Sequence, residues 1–282
     1  MKIFFAIALA LAIGCASTLG LANPKKSGVT PEQEHVEMLY PTVLVRLGNA
    51  SGSGTVIYSK QNENQKYESF ILTNWHVIQS YVKLSKVWDS KKKEQIETET
   101  RRPVNIDLWE YNNYSTAVGT VGRLARIMAY DKSRDLALLK VEDEERPMPY
   151  VARIYPEDKD DGPWIFQTVY AVGAGLGKPP FPTMGLLAGY GRDQDGNDLY
   201  LSTSPIIYGN SGGSLYVYSP RNHYELIGVP SMVSAYGWGS VVSHMAWSRP
   251  IAEIRIFLRQ AEYGVKILGD TPEEEDGTDE SN

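Results

Sequence analysis

Short apolar runs separated by polar turns recur along most of the chain, and this pattern predicts β-strands. Several runs alternate apolar with polar side chains, as expected of strands that bury one face. Strand-like runs occupy residues 41–47, 108–127, 164–174, 184–191, 199–204, 226–232 and 240–247. Glycine, proline, asparagine and aspartate cluster between the runs, where they favour turns. The pattern therefore predicts an all-β fold.

One stretch near the C-terminus has helical spacing instead. It follows Arg249 and Pro250, and proline is tolerated in the first turn of a helix. The apolar residues that mark it as a helix are Ile251, Ile254, Ile256, Phe257 and Leu258. We therefore predict a C-terminal helix over residues 250–263. Residues 269–282 form an acidic tail whose composition favours disorder.

Polar segments divide the chain into two halves. Residues 85–102 are rich in Lys and Glu without an apolar helical face, which favours a solvated hairpin. Residues 147–163 are expected to connect a first half, about residues 41–150, to a second half, about residues 160–248. Residues 175–182 contain three prolines and are expected to form an irregular loop. The acidic turn at 193–198 is a candidate for calcium, but it lacks EF-hand spacing, so a solvated hairpin is favoured.

The first residues have the composition of an export signal. Lys2 precedes an apolar run, residues 3–13, that is too short to span a membrane. We predict a signal peptide over residues 1–22, a polar linker over residues 23–40, and a periplasmic or secreted protein. Residues 12–15 also resemble a weak lipobox, so a lipid anchor on Cys15 is the alternative.

Composition narrows the classes of function. The chain has 282 residues and a formal net charge of −6. Seven acids lie in residues 270–282, and the chain without them and without residues 1–22 is neutral, which argues against a nucleic-acid partner. Cys15 is the single cysteine, so no disulfide is expected in the mature chain. No cluster of His, Cys and Asp suggests a metal site, and no cofactor is expected.

The strongest candidate for chemistry is the segment Tyr208-Gly209-Asn210-Ser211-Gly212-Gly213-Ser214-Leu215. Its glycines permit backbone conformations that are costly for other residues, so the loop can raise the Ser211 hydroxyl from the surface. The N–H groups of Gly209 and Ser211 would then point to the place where a tetrahedral oxyanion forms. An ordinary turn between strands would have a similar composition.

Two residues that precede Ser211 in the chain are candidates for a general base and for the acid that orients it. His76 follows the apolar run 70–72, and Asp135 precedes the apolar run 136–139. Each residue alone also has a structural interpretation, as a histidine satisfied by the backbone and as an aspartate that caps a turn. Together the three residues occur in the order His, Asp, Ser, which is that of chymotrypsin-type hydrolases. An α/β-hydrolase would need the acid and the histidine after the serine, and the chain after Ser211 is too short and too strand-like.

Three segments resemble the signatures of trypsin-like serine peptidases: Thr73-Asn74-Trp75-His76-Val77, Asp135-Leu136-Ala137-Leu138-Leu139-Lys140 and Gly209-Asn210-Ser211-Gly212-Gly213. Two more, Ser51-Gly52-Ser53-Gly54-Thr55-Val56 and Val172-Gly173-Ala174-Gly175, resemble the bacterial HtrA-type branch. The resemblance covers about residues 41–268 and does not extend to the PDZ module of most HtrA-type chains. It implies two six-stranded antiparallel β-barrels of chymotrypsin type, with the active site in the cleft between them.

The same resemblance implies a role for each candidate residue. Ser211 is the expected nucleophile, His76 the general base and then the general acid, and Asp135 the residue that orients the imidazole. Gly209 and Ser211 are the expected oxyanion donors. The implied activity is endopeptidase cleavage of proteins or peptides through an acyl-enzyme. The alternative is a catalytically silent binding protein on the same fold.

Specificity is also inferred from the resemblance. In the family, the floor of the specificity pocket lies near the sixth residue before the nucleophile, here Pro205, followed by Ile206. A buried cation would find no acidic partner there, so cleavage after Lys or Arg is not expected. The residues expected to wall the pocket include Val229, Ser231, His244 and Ala246. Small or medium apolar side chains are predicted at the cleaved position, and Glu or Gln bound by an inward-pointing His244 is the alternative.

Overall fold

The computed structural model describes residues 30–114, 116–156, 163–237 and 239–271. The predicted signal peptide, residues 1–22, and the tail from residue 272 onward lie outside these ranges. β-Strands predominate in the described ranges, as the alternation of apolar and polar runs predicts. None of the helices described there has the length and apolar composition needed to cross a bilayer.

The described end of the predicted linker is helical and packed. Helix α1 (Pro31–Glu34) runs into a π-helical turn (His35–Leu39). Leu39 is buried in a hydrophobic cluster to which both halves of the chain contribute, and the Glu37 carboxylate accepts a 2.8 Å hydrogen bond from the Tyr224 N–H. The segment therefore packs against the folded protein and is not a solvated linker.

Among the described residues, the first half has eight strands and a short α-helix, which a 3-10 turn (Gln79–Tyr81) follows. The strands are β1 (Thr42–Leu47), β2 (Ala50–Gln61), β3 (Tyr67–Thr73), β4 (Val82–Asp89), β5 (Glu94–Arg101), β6 (Val104–Asn112), β7 (Thr116–Asp131) and β8 (Leu136–Val141), and helix α2 (Trp75–Ile78) follows β3. Six of them close into an antiparallel barrel in the order β1-β2-β3-β8-β7-β6, with β6 paired back to β1. The predicted hairpin at 85–102 is confirmed as the separate two-stranded sheet of β4 and β5.

The first barrel forms around alternate apolar side chains of its strands. Val45, Ile71, Ile106 and Leu139 come from four different strands, and none has an accessible surface. They pack in one cluster, where burial of each such side chain contributes about 1.5–3 kcal/mol. This core fixes the register of β3 against β8, which places Thr73 opposite Ala137. Because of this register, the side chains of His76 and Asp135 lie next to each other.

The second half repeats the strand order of the first. Its strands are β9 (Arg153–Ile154), β10 (Thr168–Gly173), β11 (Phe181–Arg192), β12 (Asp198–Ser202), β13 (Ser214–Tyr218), β14 (Tyr224–Tyr236) and β15 (Ser240–Pro250). They form one sheet in the order β13-β10-β11-β12-β15-β14-β9, in which β13 also pairs with β14. Strands β10 to β15 therefore make a ring with the pairing order of the first barrel, as the chymotrypsin-type prediction requires.

Residues 175–182 are more regular than their prolines suggested. Gly175–Gly177 forms a 3-10 turn, and β11 already begins at Phe181, which places Pro182 opposite Val172. Proline is tolerated there because β11 pairs with β12 only from Leu187 onward, so its first residues lie at a sheet edge. The prediction of an irregular loop is therefore wrong for residues 181–182.

The predicted C-terminal helix is present but shorter. Helix α3 spans Ile251–Gln260, whereas the apolar spacing predicted 250–263. It ends early because Glu262 has a left-handed φ of 65°, and a π-helical turn (Gly264–Leu268) follows. The buried side chains of α3 pack against the core of the second half.

Candidate active site

His76 lies in the short helix that follows β3. Asn74 is the residue before that helix and has an extended backbone. Its side-chain amide donates a 2.7 Å hydrogen bond to the backbone carbonyl of Asp135. This bond joins the end of β3 to the start of β8 and orients the first turn of α2, so His76 faces the same end of the barrel as Asp135.

Asp135 precedes β8 and has a left-handed φ of 52°. Its Oδ2 lies 2.8 Å from His76 Nδ1, and its Oδ1 accepts a 2.9 Å hydrogen bond from the His76 backbone N–H. The carboxylate is 15% exposed and the imidazole 40% exposed. A carboxylate bound to Nδ1 leaves Nε2 as the ring atom that can accept a proton. The arrangement therefore suits a general base.

A third donor reaches the same carboxylate from the other half of the chain. The Ser231 hydroxyl donates a short hydrogen bond to Asp135 Oδ2. Ser231 was predicted as a wall of the specificity pocket, but the structure places its hydroxyl on the acid. Sequence reasoning missed this contact because the alternation of a strand does not show which partner a side chain meets across the cleft.

Ser211 lies in the loop between β12 and β13. Its hydroxyl makes a long 3.4 Å hydrogen bond to the backbone carbonyl of Ser231. Within the described residues, no hydrogen bond joins Ser211 to His76. The structure thus pairs His76 with Asp135 directly, whereas the Ser211 hydroxyl is bonded to the Ser231 carbonyl. Contacts between a nucleophile and its general base are commonly loose in the absence of substrate.

Every backbone carbonyl from Tyr208 to Ser211 accepts a hydrogen bond. The Tyr208 carbonyl accepts from the Leu176 N–H at 2.8 Å, and the Asn210 carbonyl from the Gly213 N–H at 3.0 Å. Ser53 of β2 supplies the other two donors. Its hydroxyl binds the Gly209 carbonyl at 2.6 Å, and its N–H binds the Ser211 carbonyl at 2.8 Å.

The N–H groups of the same loop divide into two sets. Those of Asn210 and Gly212 donate to the carbonyls of Ile207 and Pro230, each at 3.1 Å. Within the described residues, those of Gly209 and Ser211 have no acceptor. These two free donors are the pair that sequence reasoning assigned to an oxyanion, and they are available to a ligand.

Gly212 is required by the close approach of the loop to the first barrel. It has a φ of 84°, and a Cβ at this position would lie 2.2 Å from both the Ser53 carbonyl oxygen and Thr73 Oγ1. Side chains other than glycine would strain the backbone and collide with β2. Gly212 therefore lets the loop of the second half touch the first barrel.

Some of the residues predicted to form the specificity pocket are buried in the structure, and others are exposed. Ile206, Val229 and Ala246 are at most 4% exposed and pack in the core of the second half. Pro205 is exposed, and its carbonyl accepts a 2.7 Å bond from the Thr183 hydroxyl. His244 is exposed and lies at the register shift between β14 and β15.

The loop that carries Asp135 is also held by the second half. The Ser133 carbonyl accepts a 3.1 Å bond from Asn197 Nδ2, and Arg134 Nε lies 2.8 Å from the Glu253 carboxylate of α3. Arg249, whose side chain is 4% exposed, pairs with Asp193 at 2.6 Å. Sequence spacing gives no signal for these contacts, because their partners are far apart along the chain.

The acidic turn at 193–198 is therefore partly structural. Burial alone would raise the pKa of the Asp193 carboxyl, but contacts with Arg249 and Asn197 outweigh it and hold the pKa below its ordinary value of 3.8. The preference for a fully solvated hairpin was wrong for Asp193 and Asn197, which face protein partners. Across the described ranges, no group of three or more His, Cys, Asp or Glu side chains is arranged to hold a metal ion.

Comparison with known proteins agrees with this architecture. The model of the trypsin-like peptidase domain family matches residues 52–220, which include His76, Asp135 and Ser211. No curated protein matches the sequence.

Solved structures of serine proteases share the fold, and three of them are compared with this chain. The HtrA-type protease AlgW with a tripeptide is 17% identical, with 83% of this chain and 64% of that chain covered and a TM-score of 0.57. The serine endoprotease from Yersinia pestis is 19% identical, with 83% of this chain and 66% of that chain covered and a TM-score of 0.55. The inactive form of the Rv3671c protease is 17% identical, with 79% of this chain and 90% of that chain covered and a TM-score of 0.52. The chain thus spans about 64% of the length of the first of these proteins.

Proposed function

Because the chain belongs to the trypsin-like peptidase domain family, we propose that it is a serine endopeptidase that cleaves peptide bonds through an acyl-enzyme. One observation carries the proposal. The His76–Asp135 pair, bonded at 2.8 Å, shares the contact region of the two halves with a serine loop whose Gly209 and Ser211 N–H groups have no acceptor in the described part of the chain. A base with its orienting acid, a hydroxyl and two unpaired donors are the parts that acyl transfer needs.

In the proposed reaction, Ser211 Oγ attacks the carbonyl carbon of the scissile bond. The proton of Oγ passes to Nε2 of His76, and the bond from Asp135 to Nδ1 stabilises the resulting imidazolium. The protonated ring then gives this proton to the leaving amine. Water repeats the sequence on the acyl ester and releases the second product.

Negative charge develops on the carbonyl oxygen during attack. The N–H groups of Gly209 and Ser211 would stabilise it, since donors held in place before the reaction need no rearrangement when the charge appears. Removal of one such donor costs about 10²–10³ in rate in related chemistry. The carbonyl contacts described above support this role because they hold the peptide planes of the loop.

For specificity, we propose small or medium apolar side chains at the cleaved position. Residues 204–208, 229–236 and 240–246 contain no Asp or Glu, so a substrate cation would be buried without a partner. The exposed Pro205 would form the floor, and the exposed His244 belongs to a strand that would form a wall, whereas Ile206, Val229 and Ala246 pack in the core and the Ser231 hydroxyl binds Asp135. A preference for Glu or Gln through His244 is the second candidate, favoured by the exposed imidazole.

Digestion of a peptide library by the purified protein tests the activity. We expect cleavage that disappears in Ser211→Ala, and covalent labelling of Ser211 by a fluorophosphonate. Ser211→Ala removes only one oxygen atom, so its fold should be retained and its thermal unfolding should match that of the parent protein. Cleavage of equal rate in both proteins would refute the assignment. A well-folded parent protein without cleavage or labelling would favour the silent binding protein.

Matched peptides that differ only in the residue before the scissile bond test the specificity. We expect kcat/KM to be highest for Val or Leu and lowest for Arg, with Gln and Glu between them. A dominant Arg signal would show that the pocket has been assigned to the wrong residues. A Glu or Gln preference that is lost in His244→Ala would support the second candidate.

We further propose that the mature enzyme is exported. Residues 1–22 would be removed as a signal peptide, or Cys15 would carry a lipid. Intact-mass analysis of protein from its native envelope should show a chain that begins at residue 23, or a diacylated Cys15. A cytoplasmic chain that still begins at Met1 would contradict both versions.

A further inference from the structure

We propose that the Ser53 hydroxyl is a positioning group for the peptide that links the two oxyanion donors, Gly209 and Ser211. The inference rests on the proposed endopeptidase function and deepens it. Ser53 belongs to β2 of the first barrel, touches no reacting atom in the proposed mechanism, and has no accessible surface. Its side chain acts through the backbone of the serine loop.

The Ser53 hydroxyl is bound on both sides. Its Oγ accepts a 2.7 Å hydrogen bond from the Ala174 N–H at the end of β10. It donates a 2.6 Å hydrogen bond to the Gly209 carbonyl. Because the Ala174 N–H occupies an acceptor position of Oγ, the hydroxyl proton is directed to Gly209. The Ser53 hydroxyl therefore acts as a donor to the Gly209 carbonyl.

Gly209 needs such support because it is a glycine. Its φ is 95°, and without a Cβ the residue has access to a wide range of backbone conformations. A Cβ here would lie 2.7 Å from the Leu176 nitrogen and 2.8 Å from the Ala174 oxygen, so no other residue fits. The conformation of Gly209 must therefore be held by hydrogen bonds to its neighbouring peptides.

Three bonds hold the peptides on the two sides of the Gly209 Cα, and one of them is the bond from the Asn210 N–H of the second peptide to the Ile207 carbonyl at 3.1 Å. The peptide before it is held through the Tyr208 carbonyl by the Leu176 N–H at 2.8 Å. The peptide after it is held through the Gly209 carbonyl by the Ser53 hydroxyl. Loss of the hydroxyl leaves the second peptide with the Asn210 bond alone and leaves the buried Ala174 N–H without its acceptor. The second peptide links the peptides that carry the Gly209 and Ser211 N–H groups, so its displacement would change how these two donors are placed relative to each other.

Ser53→Ala tests the inference, with Thr55→Val as the matched control. Thr55 lies two residues further along β2, so its side chain is on the same face of the strand. It is equally buried, and its hydroxyl has no partner among the described residues. Both substitutions remove one buried hydroxyl from this strand, but only one of these hydroxyls touches the serine loop.

We expect kcat for a peptide substrate to fall by about 10- to 100-fold in Ser53→Ala, with KM changed less than about twofold, because the lost support acts in the transition state. A boronic acid analogue of the best substrate, whose boron-bound oxygen occupies the oxyanion position, should lose affinity by a similar factor. The matching product peptide should bind with unchanged affinity. Thr55→Val should match the parent protein in all three measurements.

Several results would overturn the inference. One is an unchanged kcat in Ser53→Ala while the parent protein is active. Others are an equal loss in Thr55→Val, or parallel losses of boronate and product binding, since both would indicate a general structural effect. If Ser53→Ala does not unfold cooperatively, Ser53→Cys replaces it, because the thiol has a similar shape but is a weak donor. An inactive parent protein would instead refute the proposed function, and the two failures are thus distinguishable.

Discussion

The two halves of the molecule share a strand order but position their site residues by different means. In the first barrel, His76 and Asp135 lie at one end of adjacent strands and bind each other at 2.8 Å. In the second half, Ser211 lies in a loop whose carbonyls are held partly by Ser53 of the first barrel. A pair at the ends of neighbouring strands needs only the register of its own barrel. A nucleophile in a loop needs both halves in contact.

Polar contacts join the two halves next to the candidate active site. Ser231 of the second half reaches Asp135 of the first, and Asn197 reaches Ser133. Both contacts join the loop that carries the acid to the half that carries the nucleophile. The arrangement of the two halves therefore bears on the whole site, although the His–Asp pair is local.

The largest expected effect comes from the catalytic groups themselves. Ser211→Ala and His76→Ala should each lower kcat/KM by about 10⁴ or more, and Asp135→Asn should be comparable because the imidazole would be held in the wrong tautomer. The double variant Ser211→Ala/His76→Ala should be no worse than either single one, since the residues act as a unit. Steady-state kinetics and thermal unfolding of all four proteins test this. Additive losses would mean that the halves contribute independently.

Substitution at Gly212 tests whether the serine loop depends on contact with the first barrel. Gly212→Ala should lower kcat by about 10² or more, because displacement of a catalytic group by about 1 Å can have this effect. Gly196→Ala is the matched control, since Gly196 has a φ of 86° but nothing within 4 Å of its added Cβ. It should cost about 1–2 kcal/mol of stability and leave kcat unchanged. Equal kcat losses in the two variants would refute the dependence.

The buried ion pair between Arg249 and Asp193 is expected to stabilise the acidic turn of the second half. Asp193→Asn should destabilise the fold by about 3 kcal/mol at pH 7, because Arg249 would be buried without a countercharge. Folding lowers the pKa of Asp193, so its stabilisation exists above the unfolded-state pKa and disappears as pH falls through the folded-state value. Urea unfolding should show a difference between the two proteins that shrinks below about pH 4.

Asp195→Asn is the control for that measurement. Asp195 lies on the same turn but is exposed, so its replacement should leave the free energy of unfolding within about 0.5 kcal/mol of the parent value. A gap between Asp193→Asn and the parent protein that persists unchanged to pH 3 would show that the carboxylate charge is not what stabilises the turn.

Ser231→Ala should have the smallest effect. It removes one hydrogen bond to the Asp135 carboxylate but leaves both contacts from His76 in place, so we expect kcat to fall about 10-fold, as for one hydrogen bond of about 1–2 kcal/mol. The measurement is kcat/KM beside that of Asp135→Asn. A loss as large as in Asp135→Asn would show that the His–Asp pair is not a property of the first barrel alone.

The fold could largely be predicted from the sequence, and the structure brings together His76 and Asp135 of the candidate triad. Strand periodicity is a local signal, and the runs at 184–191 and 199–204 fall on β11 and β12 with small shifts of their ends. The glycines around Ser211 indicated a loop that leaves the N–H groups of Gly209 and Ser211 free. The helix end and the start of β11 were misjudged, because a left-handed Glu262 and an edge position for Pro182 depend on neighbours that no local pattern shows.

The amino-acid sequence by itself determined the alternation that makes strands, the order of His76, Asp135 and Ser211, and the glycines that the serine loop requires. Tertiary structure alone decided which hydroxyls serve that loop. Ser53 and Gly209 are 156 residues apart, and Asp135 and Ser231 are 96 apart. Local propensity and periodicity act over a few residues, whereas these contacts exist only after two closed sheets have packed together and set which side chains face the cleft.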